Sequence, residues 1–184
     1  MDSLHTGDLL IFEGKYFSSK IVACLTTSNV SHVGLVWKDP PDLAPGLYFI
    51  ESNVTSKVPG VQLTLLSDVL PTYQGKIQVR RARVQSTYPF EQLSPLYGSV
   101  SSSLYDVFPP DDIRLLARGW NCCPWRKQER EFFVCSTLLA YLFTQMGYLP
   151  STLDWTLVQP KDFVNESPYL PWQGIQWSPL EVLH

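Results

Sequence analysis

Apolar residues fall along this chain in two rhythms. Several short segments have the length and β-branched content of strands. GDLLIFEG predicts a strand ending in a turn, SHVGLVWK a strand, and GLYFIESN another, with the turn-rich DPPDLAPG between the last two. GVQLTLL predicts a weaker extended piece, followed by a helical turn at LSDVL. KIQVRRARV alternates and predicts a strand whose arginines, Arg80, Arg81 and Arg83, form a solvated face. The other rhythm is helical. SKIVACLTTS predicts a short helix, PPDDIRLLARG another with acidic residues at its front and glycine at its end, and FFVCSTLLAYLFTQMG the strongest helix, closed by Gly147. Pro89 and Glu91 suit the opening of a short helix.

Strands first and one long buried helix late predict an α+β fold, a mostly antiparallel sheet packed on helices. Length fits a single domain over residues 1–184. Serine, proline and aromatics dominate residues 86–128, which read as a less regular insertion, and residues 165–184 as an extended Pro/Trp-rich tail.

Composition narrows the function classes. Apolar residues make up 45% and charged residues 17%, which is globular rather than disordered. Fourteen basic and seventeen acidic side chains give a net charge of −3, so there is no general electrostatic reason to bind nucleic acid or an anionic membrane. MDSLHTGDLLIF lacks the basic start and the long apolar run of a secretion signal, and no stretch approaches a membrane span. A cytoplasmic setting with reduced thiols is the expectation, and the three Asn-x-Ser/Thr triplets at Asn29, Asn53 and Asn165 are read as chance.

Chemistry enters through scarce residues. The cysteines are Cys24, Cys122, Cys123 and Cys135, and the histidines His5, His32 and His184. Their spacing does not suit zinc, and no metal or organic cofactor is expected. Only His32 is embedded in a predicted element. If Trp37 pairs with Gly46, the hairpin places His32 opposite Glu51, and a one-residue slip would send Glu51 to the other face. Cys135 opens the strongest helix, where unsatisfied amides favour a thiolate and can stabilise an oxyanion. These are the parts of a Cys-His-acid triad, or else Cys135 is a packed core residue.

The order TGDLLIFEG, NVSHVGLVW, YFIESN, FFVCSTLLAYLF and QPKDF resembles the circularly permuted papain-like cysteine hydrolases. These form a branch of the NlpC peptidase superfamily that includes YiiX-like bacterial proteins, a poxvirus virion family and the lecithin:retinol acyltransferase relatives. The resemblance runs from Gly7 to about Phe163, and the Cys-Ser pair at 135–136 is close to the YiiX-like form. It implies a permuted papain-like fold, Cys135 as nucleophile, His32 as general base and Glu51 as the residue orienting His32. Tyr105, in LYDVF, and Ser136 are implied as oxyanion or substrate contacts. The acyltransferase motif Asn-Cys-Glu-His-Phe is broken here, since Asn121-Cys122 runs into Cys-Pro-Trp, and Cys122 is set aside as nucleophile. The implied activity is that of a thiol hydrolase or acyltransferase on a peptide, a ubiquitin-like conjugate or a lipid acyl group, in a host cytoplasm or virion if the chain is viral. Peripheral membrane contact is compatible with this. The alternatives are a non-catalytic binding module on the same fold and a structural protein whose tail docks a partner.

Overall fold

The computed structural model describes residues 4–14, 29–53, 59–84, 88–105 and 132–183. The expected helices at 19–28 and 109–119 lie outside them. The frame is an eight-stranded sheet. In chain order its strands are β1 (Leu9–Glu13), β2 (Val30–Lys38), β3 (Leu47–Asn53), β4 (Gly60–Leu65), β5 (Lys76–Arg80), β7 (Leu104–Tyr105), β8 (Phe132–Phe133) and β10 (Glu181–Val182). Across the sheet they run β10-β5-β1-β2-β3-β4-β7-β8. Each neighbouring pair is antiparallel except β7 and β8. A two-stranded sheet joins β6 (Ala82–Val84) to β9 (Ile175–Trp177). The helices are α1 (Leu66–Val69), α2 (Tyr88–Glu91), α3 (Leu93–Val100) and α4 (Cys135–Gln145), with 3-10 turns at Trp155–Leu157 and Pro160–Phe163. This is the expected α+β architecture. Much of the first half of the 86–128 region is regular, in α2, α3 and β7.

The central strands are buried on both sides, which explains their near-continuous apolar runs. Leu10, Phe12, Val36, Phe49, Ile77 and Val79 pack with Leu66 and Leu70 on one face. Leu9, Ile11, Val33, Leu35 and Ile50 meet Leu138, Leu139, Leu142 and Phe143 of α4 in the other cluster. Each fully buried leucine of this kind contributes roughly 1.5–3 kcal/mol. Residues Cys135 through Phe143 are all buried, so α4 is a core helix without a solvent stripe. It starts after the extended Val134, whose amide donates to Thr137 Oγ1 at 3.1 Å. It ends in a Schellman arrangement. Gly147 has φ +79°, its amide reaches Thr144 O, and the Tyr148 amide reaches Phe143 O at 2.9 Å.

Two expectations need correction. In the β2–β3 hairpin Trp37 pairs with Tyr48, not Gly46. Asp39, at φ +50°, closes the turn by taking Gly46 as its partner through both backbone and carboxylate, each at 2.8 Å. The register is therefore two residues from the expected one. Because side chains alternate with period two, a two-residue shift keeps every residue on its face. The other correction concerns the arginines. Arg80 is not solvated. It is buried, donates to Phe163 O at 2.9 Å and to Asn165 O and Ser178 O at 3.4 Å, and lies 5.8 Å from the centre of the Trp177 ring. Arg81 sits between Asp8 and Glu181, and only Arg83 is exposed. Arg80 thus ties the tail to the sheet.

Candidate active site

The β2–β3 ladder pairs residues down to Leu35–Ile50. One step further by the same count sets Gly34 across from Glu51, and His32 lies two residues along from Gly34 on the same face. The pair is therefore diagonal rather than directly opposed, still within reach of long side chains. Glycine at 34 matters here. A Cβ there would stand 2.5 Å from Cδ2 of Phe49, so a side chain would push against the ring beside Glu51.

His32 Nε2 lies 2.7 Å from Glu51 Oε2. The carboxylate takes three more hydrogen bonds. Asn53 Nδ2 donates to Oε2 at 3.3 Å, Gln62 Nε2 donates to Oε1 at 2.8 Å, and Thr64 Oγ1 donates to Oε1 as well. Phe12, paired with His32 across β1 and β2, presents its ring edge-on at 5.5 Å. His32 is also hydrogen-bonded to Cys135.

Cys135 is the first residue of α4. Its placement follows from a tie in the sheet, where Ser52 Oγ donates to Phe133 O at 2.6 Å. That bond joins the strand carrying Glu51 to the chain entering α4. All three side chains are nearly covered, at 4% exposed for His32, 1% for Glu51 and 5% for Cys135.

The electrostatics agree with the geometry. Burial alone would pull His32 down. The charge and hydrogen bond of Cys135, and then those of Glu51, outweigh it and hold the imidazole up at about 10. Burial would push Glu51 up. The hydrogen bond and charge of His32, followed by the bonds from Thr64 and Gln62, bring its carboxyl below the usual value. Both shifts favour the charged forms of His32 and Glu51 beside the sulfur of Cys135.

The structure thus brings Cys135, His32 and Glu51 together. Ser136 points elsewhere, its hydroxyl buried and donating to Val158 O at 2.7 Å, which pins α4 to the segment before the second 3-10 turn. Tyr105 lies in β7, with its side chain outside the described residues. Gln62 and Thr64 were not singled out from the sequence. The signal was there in the alternation of GVQLTL, which puts both on one face of a strand next to Glu51.

No family model and no curated protein matches the chain. Among solved structures, it is similar to the metalloprotein YiiX from Escherichia coli O157:H7, with a TM-score of 0.60 and 16% identity over 96% of this chain and 97% of that one. The two share a fold. At this identity the likeness to YiiX covers architecture alone. YiiX is named a metalloprotein, which raises the question of a metal among the donors of this chain. Among the described residues no group of His, Cys, Asp and Glu is arranged to hold one. Both oxygens of Glu51 already accept hydrogen bonds, and His32 is engaged by Glu51 and Cys135. These residues do not fit a metal site. Among the described residues no helix is long and apolar enough to cross a membrane.

Proposed function

We propose that the chain is a cysteine hydrolase or acyltransferase of the permuted papain-like type, using Cys135, His32 and Glu51 to break an amide, ester or thioester through a thioester acyl-enzyme. One observation carries the reading. A buried histidine is hydrogen-bonded to a carboxylate and lies within electrostatic reach of a cysteine that begins a core helix. Glu51 orients the ring and balances its charge. Cys135 attacks the carbonyl carbon as the thiolate of the ion pair, its proton resting on His32. Amides in the first turn of α4 face the developing oxyanion. His32 gives its proton to the leaving group. It then takes one from water, or from another acceptor, as that nucleophile attacks the thioester and frees the sulfur. The substrate classes that fit are a peptide, a ubiquitin-like conjugate or a lipid acyl group, in a cytoplasmic setting.

The test is the rate of Cys135 alkylation by iodoacetamide from pH 4 to 10, read by peptide mapping in wild type and His32→Ala. An ordinary thiol gains reactivity around about pH 8.5, whereas a paired one reacts well below it. The expected result is reactivity at low pH that is lost without His32, together with loss of turnover in Cys135→Ala. An ordinary thiol profile that ignores His32 would falsify the triad. The near-complete burial of all three groups favours a second reading, a binding module on the same fold. That reading gains if Cys135 alkylates only after denaturation.

A further inference from the structure

We propose that Gln62 and Thr64 of β4 are positioning residues for this site, gripping one oxygen of Glu51 so that the other stays aimed at His32. The inference rests on the Cys135–His32–Glu51 reading above. In the β3–β4 ladder Glu51 pairs with Gln62 and Phe49 with Thr64, so both polar side chains share the face of Glu51. Their bonds go to Oε1, while His32 and Asn53 use Oε2. A carboxylate 1% exposed has no solvent to fall back on. Without the β4 donors, Oε1 would be a bare buried anionic oxygen. The carboxyl would then rotate away or take a proton, and either outcome weakens its hold on the imidazole.

The chemistry of the two donors is telling. Both are neutral. A lysine or arginine in either place would also satisfy Oε1, but would cancel the charge that His32 needs as a counterion. A pair chosen only to fill hydrogen bonds has no reason to avoid a cation. A pair that keeps the carboxylate available to an imidazolium does. Among the described residues, the ionisable groups that act on His32 include Glu51 from β3 and Cys135 from α4, while β1 offers the Phe12 ring. Among the described residues, the ionisable group hydrogen-bonded to Glu51 is His32. The bonds from Thr64 and Gln62 also help hold Glu51 in its anionic form.

The experiment compares Thr64→Val, Gln62→Met and Thr64→Ser with wild type and His32→Ala. His32 is followed by NMR against pH in protein with labelled histidine, and Cys135 by iodoacetamide alkylation against pH. Thr64→Val and Gln62→Met should each lower the pH at which His32 loses its proton by about 0.5 to 1 and slow alkylation at pH 7 by about threefold to tenfold. Thr64→Ser, which keeps the hydroxyl, should restore both. Should Thr64→Val fail to fold, Gln62→Met carries the test. A His32 titration unmoved in the β4 variants, while His32→Ala changes the alkylation profile, overturns this inference alone and leaves a merely structural role. If His32→Ala alkylates like wild type, the triad reading fails and this inference goes with it.

Discussion

Replacing Glu51 with glutamine removes one charge and almost no volume. In the native site the carboxylate accepts from His32, Asn53, Gln62 and Thr64. A glutamine amide offers a single acceptor oxygen. Its NH2 group would face donors wherever it points, either Nε2 of His32 or the pair on β4. The imidazolium meanwhile loses its buried counterion. Breaking a buried ion pair by removing one partner costs about 3–5 kcal/mol, because the other charge is left uncompensated. For a domain of this size that corresponds to a fall in melting temperature of roughly 6–20 °C. The pH dependence separates this cause from simple misfit. Glu51 has a folded value below its ordinary 4.5, so its contribution is present above 4.5 and is lost as pH falls through the folded value. His32 is raised from 6.5 to about 10, so its contribution is fully present below 6.5 and is lost as pH rises toward 10. The stability gap between wild type and Glu51→Gln should be widest from about pH 4.5 to 6.5 and narrow on both sides. Urea unfolding at intervals from pH 3 to 10 measures it. A gap below about 1 kcal/mol, or one that is flat with pH, would refute the account of a charged pair.

Two substitutions test the frame that holds the site. Arg80→Met keeps the aliphatic stem but strands the carbonyls of Phe163, Asn165 and Ser178, and the short bond to Phe163 alone should make the loss about 1.5–3 kcal/mol in denaturant unfolding. A cost under about 0.5 kcal/mol would show that the tail holds without Arg80. Gly34→Ala drives a methyl into the Phe49 ring and should cost about 1–3 kcal/mol by thermal melting, while a neutral result would mean that the ring moves freely beside Glu51.

The positions of β1, β2, β3 and α4 were legible because each is set by local pattern, a run of apolar residues and a glycine where the helix ends. The hairpin register was less so. It hangs on Asp39 accepting a left-handed turn and folding its carboxylate onto Gly46, and nothing in DPPDLAPG singles out that aspartate from Asp42. The site survived the error because the slip was even. Arg80 departs from its expected place for a different reason. Alternation tells which residues share a face, not whether water or a later segment covers it, and its acceptors are carbonyls from far along the chain. Backbone carbonyls leave no mark in a sequence. The meeting of Cys135 with His32 was suggested by residue types and by the family resemblance, since no local pattern encodes how a helix end is brought to a strand.

The bond from Ser52 to Phe133 has a consequence in time. His32 and Glu51 belong to one hairpin, whose contacts are short in sequence, while Cys135 comes from much later in the chain and its contact closes at a larger cost in chain entropy. In the proposed triad, the short-range contacts favour His32 and Glu51 meeting before the sulfur joins them. In the triad proposed above the Cys135–His32 pairing exists only once the helix has docked, so the rate of Cys135 alkylation would report that docking.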